Sequence, residues 1–189
     1  MPRVDGPGHS HMLTAKGPNM RVYAIGDIHG YLGELERAHA LIGEDRARVG
    51  DTAAPVVHIG DLCDRGPDTK GVVDFLLEGL ARGEDWIALK GNHDRLMGYF
   101  LEDPPRHDTY MMIGRDWFHD GVGGRETLAS YGIEVAGGER FFELANSFRA
   151  AVPETQQRFV MQLPTSYETE EHIFVHAGIR PGIPLGEQT

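Results

Sequence analysis

One cysteine, Cys63, is all that the 189 residues contain. No disulfide can close within the chain, and a reducing compartment, the cytoplasm, is the expected location. Long apolar runs are missing too. None approaches the ~20 residues that span a bilayer, so no membrane partner is expected. Positive charge is scarce: 18 Lys and Arg stand against 29 Asp and Glu, for a net charge of -11. Phosphate backbones demand a basic face, so no nucleic-acid partner is expected either. No Gly-x-x-x-x-Gly-Lys-Ser/Thr loop is present, which excludes a P-loop nucleotide site. What remains has 40% hydrophobic and 25% charged residues, the balance of a soluble globular protein, at a length that suits one domain.

Four apolar runs stand out because each delivers ligand-type side chains as it ends. Val22-Tyr23-Ala24-Ile25 runs into Gly26-Asp27-Ile28-His29-Gly30, and Pro55-Val56-Val57-His58-Ile59 into Gly60-Asp61-Leu62-Cys63-Asp64-Arg65-Gly66. Trp86-Ile87-Ala88-Leu89-Lys90 leads to Gly91-Asn92-His93-Asp94, and Ile173-Phe174-Val175 to His176-Ala177-Gly178. Side chains at i and i+2 of an extended segment point the same way, so Asp27 and His29 are expected to grip one cation together.

Taken in order, residues 1–19 read as a loose tail in which His9 and His11 are a tag-like remnant or, alternatively, metal ligands. Residues 20–25 read as a strand, 31–42 as a helix by apolar period, and 43–54 as a polar turn. A strand over 55–60 precedes a helix capped by Asp68 or Thr69 and ended at Gly83. A strand over 86–90 and a helix over 94–101 complete a βαβαβ order, which implies an α/β fold with a parallel sheet and ligands beyond its carboxyl ends. Residues 103–167 break the rhythm. They read as a helical insert covering one side of the site, with helical patches near 111–118, 125–131, 141–152 and 155–163. A strand over 172–175 is expected to return to the sheet, and no element follows the last ligand loop, as in a chain cut short at its C-terminus.

Singly, these loops are weak signals, since Asp after a strand often caps a helix and loop His is usually solvated. Four together predict a metal centre, with Asp27, His29 and Asp61 holding one ion and Asp61, Asn92 and His176 a second. Oxygen and imidazole donors suit Mn, with Fe or Zn as alternatives. Two divalent ions against Asp27 and Asp61 leave about two positive charges, enough to draw a phosphorylated substrate to an acidic protein. Such a pair can generate hydroxide and clamp phosphoryl oxygens. His93 is the candidate general acid, Asp64 its orienting carboxylate and Arg65 the phosphate clamp. A cysteine-nucleophile loop is excluded, because the position six residues after Cys63 is Thr69, not Arg. Cys63 reads as a packing residue, with oxidant sensitivity as the minor alternative. His39, His58, His107, His119 and His172 read as structural or solvated.

The four blocks resemble the signatures of the metal-dependent phosphoprotein phosphatases, within the calcineurin-like metallophosphoesterases, over residues 20–186. The bacterial serine/threonine phosphatase branch is the most similar. The resemblance implies a central β-sandwich flanked by helices, two divalent ions on Asp27, His29, Asp61, Asn92 and His176, a phosphate-binding Arg65, and an acid pair of His93 and Asp64. It implies a phosphoprotein or small phosphoester as substrate. Two departures stand out. The third block usually ends in Glu where this chain has Asp94, and the family has a further histidine ligand, and usually a second arginine, downstream of His176. The 189-residue chain is therefore expected to hold its second ion poorly and turn over slowly. The dinucleoside tetraphosphate hydrolase branch is the close alternative, although it tends to lack an acid at the Asp64 position. A metal-binding module without turnover is the third reading.

Overall fold

The apolar runs form strands of three residues each, the first three shorter than their hydrophobic stretches because the chain turns into the ligand loops at once. The computed structural model describes residues 13–14, 21–112, 115–184 and 187–188. In chain order the elements are β1 (Leu13–Thr14), β2 (Tyr23–Ile25), α1 (Leu32–Val49), β3 (Val56–His58), α2 (Thr69–Ala81), β4 (Trp86–Ala88) and α3 (Asn92–Leu101). There follow α4 (Gly124–Ser130), α5 (Phe141–Ala151), α6 (Glu154–Gln162), β5 (Ser166–Glu168) and β6 (Ile173–Val175). The strands β2-β3-β4 pair in parallel, as the βαβαβ order requires.

Alternation along these strands decides what each face buries. Val56, Trp86 and Ala88 share a core cluster with Leu35 of α1 and with Val72 and Leu76 of α2. Val57 and Ile87 join Tyr167 of β5, with Phe174 of β6 packed against them. Helices therefore cover one side of the parallel sheet and a second sheet covers the other, which is a β-sandwich with flanking helices.

That second sheet, ordered β1-β5-β6, corrects the expectation for the last strand. The strand at 172–175 does not rejoin the parallel sheet. It pairs antiparallel with β5 through a tight connection in which Thr169 N–H donates to the His172 carbonyl at 2.8 Å. A hairpin partner lies a few residues away, whereas a parallel neighbour needs a crossover. The strand β5 hid in the sequence because Tyr167 is its only apolar residue. Within the expected loose tail, Leu13–Thr14 runs parallel to β5. His9 and His11 lie outside the described residues.

Two further expectations shift. The first helix continues through the expected turn to Val49 and ends on Gly50, whose left-handed φ of 71° suits a helix C-terminus. Gly43 is absorbed mid-helix, because the turns beyond it are anchored by Tyr23 Oη–H donating to Asp45 at 2.8 Å. The patch near 111–118 forms turns over its described part, while α4, α5 and α6 match the other three patches. Asp68 caps α2 as expected, accepting from Gly71 N–H at 2.8 Å. A third core cluster joins α3, α5 and α6 around Phe100, Phe148 and Val160, and reaches Cys63 in the second ligand loop. Among the described residues no helix is long and apolar enough to cross a membrane.

Candidate metal centre

The loops after β2, β3 and β4 are laced together by their backbones. Ile28 and His29 N–H both donate to the Asp61 carbonyl, at 3.0 and 2.8 Å, and Gly30 N–H donates to Leu62 at 2.9 Å. Asp94 ties the other two, accepting from Leu62 N–H at 2.9 Å and from Gly91 N–H at 2.8 Å, so the N-terminus of α3 is capped by a carboxylate shared with the second loop. Burial, above all, raises the Asp94 carboxyl to about 6. The third block's acid is thus a structural tie.

His29, Asp61, Asp64 and Arg65 are the non-glycine residues recorded at positive φ, from 47° to 72°. Each such residue costs about 1–3 kcal/mol, and such strain gathers at functional sites. The i,i+2 argument for Asp27 and His29 therefore gives way to a turn, in which bonds to Asp61 rather than strand alternation bring the two side chains together. Two glycines make the crossing possible. A Cβ on Gly91 would strike the Asp61 carboxylate, and one on Gly123, at φ 94°, would strike the Arg65 amide.

Hydrogen bonding fixes which ring nitrogens are free. His29 Nδ1–H donates to the Cys63 carbonyl at 2.9 Å, which leaves the Nε2 lone pair 3.7 Å from Asp61 Oδ2 and 3.8 Å from Asp27 Oδ2. His176 Nδ1–H donates to the Ile59 carbonyl at 2.8 Å, so its Nε2 lone pair faces Asn92 Oδ1 at 3.1 Å and Asp61 Oδ2 at 3.4 Å. A carbonyl can only accept, so both rings turn an Nε2 lone pair inward; Arg65 meets that of His29, while His176 Nε2 faces acceptors, where a cation fits between them. The ligand atoms of Asp27, Asp61 and His176 lie within 4.8 Å of one another, as do those of His29, Asp61 and His93, with Asp61 common to both groups. The donor set fits divalent metal, and the side chains of Asp27, His29, Asp61, Asn92 and His176 come together around Asp61.

The predicted acid pair is built as firmly. His93 Nδ1–H donates to Asp64 Oδ2 at 2.7 Å, and Asp64 is fully buried. Burial pulls the His93 pKa down, but the bond to Asp64 and the charges of Asp64 and Asp61 outweigh it, and the net shift is upward. Arg65 donates from Nη1 to His29 Nε2 at 2.9 Å and from Nη2 to His93 Nε2 at 3.2 Å. Its guanidinium thus sits against the lone pairs of both rings.

Residues 20–180 match the family model described as calcineurin-like phosphoesterase. The chain belongs to this family. Serine/threonine-protein phosphatase 1 of Salmonella typhimurium is 32% identical over 98 residues, covering 51% of this chain and 40% of that protein. The symmetrical bis(5'-nucleosyl)-tetraphosphatase of Nitrosospira multiformis is 33% identical over 75 residues, 40% of this chain and 24% of that one. A solved structure described as a candidate diadenosine tetraphosphatase aligns over 95% of this chain and 60% of its own, with a TM-score of 0.55 at 23% identity, which is a likeness of fold. The aligned parts span less than half of either curated relative.

Two residues beside this site escaped the sequence reading. Trp117 Nε1–H donates to Asp64 Oδ2 at 2.8 Å and Thr127 Oγ1–H to Asp64 Oδ1 at 2.7 Å, while Asp64 N–H donates back to Thr127 at 2.9 Å. A buried Trp needs an acceptor, which was a usable signal. Nothing local marks Thr127. The Cys63 thiol is buried among Asp61, Asp64 and Asp94, and burial with those charges pushes its pKa well up. Oxidation proceeds through the thiolate, so the oxidant-sensitivity idea loses its physical basis. Two cavities flank the centre, of about 380 Å³ beside His176 and about 280 Å³ beside His93.

Proposed function

We propose that the chain carries a dinuclear metal-dependent phosphoric ester hydrolase site, of serine/threonine protein phosphatase type. The observation that carries this reading is the approach of Asp27, His29, Asn92 and His176 to Asp61, beside a buried His93–Asp64 pair. Bound divalent ions, Mn foremost, would supply Lewis acidity and lower the pKa of a coordinated water. His29 Nε2 with Asp27 and Asp61 would hold one ion, and Asp61 with Asn92 Oδ1 and His176 Nε2 the other. Arg65 takes phosphoryl oxygens through the guanidinium that now rests on the two rings. Once Arg65 turns from the His93 lone pair to the phosphoryl oxygens, His93 takes up a proton at Nε2 for the departing oxygen, and Asp64 stabilises the imidazolium from Nδ1. Geometry alone would also admit His93 as a ligand. The acid role predicts that His93→Gln keeps bound metal while kcat falls by about a hundredfold or more.

The substrate follows from the acid pair. An acid suits an alkoxide leaving group such as serine, which is poor without a proton. Phosphate release from a phosphoserine peptide and from p-nitrophenyl phosphate, with Mn added, is the expected outcome for the 189-residue protein. Asp61→Asn should remove both metal and turnover. Exclusive hydrolysis of a dinucleoside tetraphosphate would favour the second reading, supported by the relative from Nitrosospira multiformis. No release from any of the three, with metal bound, would leave a metal-binding module.

A further inference from the structure

The cavity beside His93 has a built wall that the reaction as described does not use. Its lining includes Arg65 and His93 together with Arg95, Asp108 and Tyr110. Arg95 lies three residues after Asn92, so the first turn of α3 presents both to one side. Arg95 and Asn92 line both cavities and mark where they meet.

Arg95 is held by a buried carboxylate. Its Nε–H and Nη2–H donate to Asp108 Oδ2 at 3.0 and 2.7 Å, and the Asp108 side chain is 3% exposed. The other oxygen, Asp108 Oδ1, accepts from Tyr110 N–H at 2.8 Å and sets the turn that carries Tyr110. That ring lies 5.9 Å from the Arg95 guanidinium and is 82% exposed. Arg95 Nη1 has no protein partner among the described residues, and the side chain is 39% exposed. An exposed ion pair between long side chains is usually loose. Here the acid is buried and spent at both oxygens, so the arginine is aimed rather than merely paired.

We propose that Arg95, positioned by Asp108, is a specificity residue that binds a second anionic group on the leaving side of the scissile phosphoester. This rests on the reading of His93 as the acid, because the group it protonates departs over this cavity. The anion is either a further phosphate, as in a nucleoside polyphosphate, or a carboxylate flanking a phosphorylated residue. A guanidinium edge takes either one through paired N–H donors.

The test compares Arg95→Gln and Arg95→Lys with the parent on four substrates. These are p-nitrophenyl phosphate, diadenosine tetraphosphate, and a phosphoserine peptide with glutamates or with alanines on its flank. Losing one charge-assisted contact should lower kcat/KM on an anionic-flanked substrate about tenfold more than on p-nitrophenyl phosphate, with partial rescue by Lys. A selective loss on diadenosine tetraphosphate assigns the phosphate source, and one on the glutamate peptide the carboxylate source. Equal losses on all four substrates, or no loss, would overturn the proposal. Calorimetry keeps the outcome separate from turnover. With Mn present, the parent should bind pyrophosphate more tightly than orthophosphate, and Arg95→Gln should lose that margin. If nothing is hydrolysed yet the margin appears and is lost, the activity reading fails while the anion site stands. If the parent shows no margin, the site falls.

Discussion

Asp64 sits at the base of the site with both carboxylate oxygens engaged. It accepts from His93, Trp117 and Thr127, and its own amide donates to Thr127. A carboxylate so held can steer one ring tautomer and answer the charge that forms when that ring is protonated. Asp64→Asn removes the charge. A hydrogen bond to a charged group contributes about 1.5–3 kcal/mol, so kcat on the phosphoserine peptide, whose leaving group needs the acid, should fall about 10- to 150-fold. Metal content by elemental analysis should stay at the parental value, because Asp64 faces His93 and not the ligand cluster. Trp117→Phe removes one donor of three and should cost only a few fold, since a typical bond contributes about 1 kcal/mol. A Trp117→Phe loss as large as that of Asp64→Asn would mean that packing, not the charge, sets the acid.

At the scale of elements, the contact between α1 and β3 is polar at its centre. His39 and His58 meet Nε2 to Nε2 at 2.9 Å, with His58 Nδ1–H donating to the Ile87 carbonyl at 3.1 Å. His58 Nε2 must then accept, and His39 Nε2 must carry the hydrogen. A proton added to His39 Nδ1, or forced onto His58 Nε2, creates a charge that burial opposes. Burial lowers His58 from 6.5 to about 4, with the His39 charge adding to it. Burial, then Arg46 and Arg82, lower His39 likewise to about 4. Above pH 6.5 both states are neutral and stability is indifferent to these rings. As pH falls from 6.5 toward 4, the unfolded chain takes up protons that the folded one refuses, so stability drops. For the fully buried His58 that interval amounts to about 3 kcal/mol. His39→Gln can still donate to His58 Nε2. It should flatten the slope of unfolding free energy between pH 6.5 and 4 by up to one proton, measured by urea titration at a series of pH values. An unchanged slope would show that carboxylates govern the acid limb.

Across the whole molecule, the ligand cluster stitches together parts that are far apart in sequence. Asp27, Asp61 and Asn92 follow three neighbouring strands of one sheet, and His176 arrives from the other sheet of the sandwich. An ion bound there cross-links both layers and binds only the folded state. At a free Mn concentration a hundred times Kd the gain is about 2.7 kcal/mol for one site. At about 2–4 °C per kcal/mol for a chain of this size, Tm should rise by roughly 5–10 °C with Mn and return to its starting value with a chelator. In Asp61→Asn, which loses the residue common to both groups, the shift should vanish. A full shift in that variant would place the stabilising ion elsewhere.

The sequence by itself determined the strand-loop-helix order, the five candidate ligands and the His93–Asp64 pair. Glycine-bounded blocks after apolar runs are local patterns, and a parallel sheet leaves such loops one place to go. It also specified the Asp68 cap, again a local matter. Only the tertiary structure decided that β6 joins β5, that Leu13–Thr14 pairs beside it, and that Trp117 and Thr127 complete the bonds of Asp64. Those pairings depend on partners brought close by folding, and Tyr167 or Thr127 carries no local mark of its neighbour. The turn that aims His29 at Asp61 was likewise invisible, because left-handed backbone at a non-glycine residue is imposed by the hydrogen bonds of another loop.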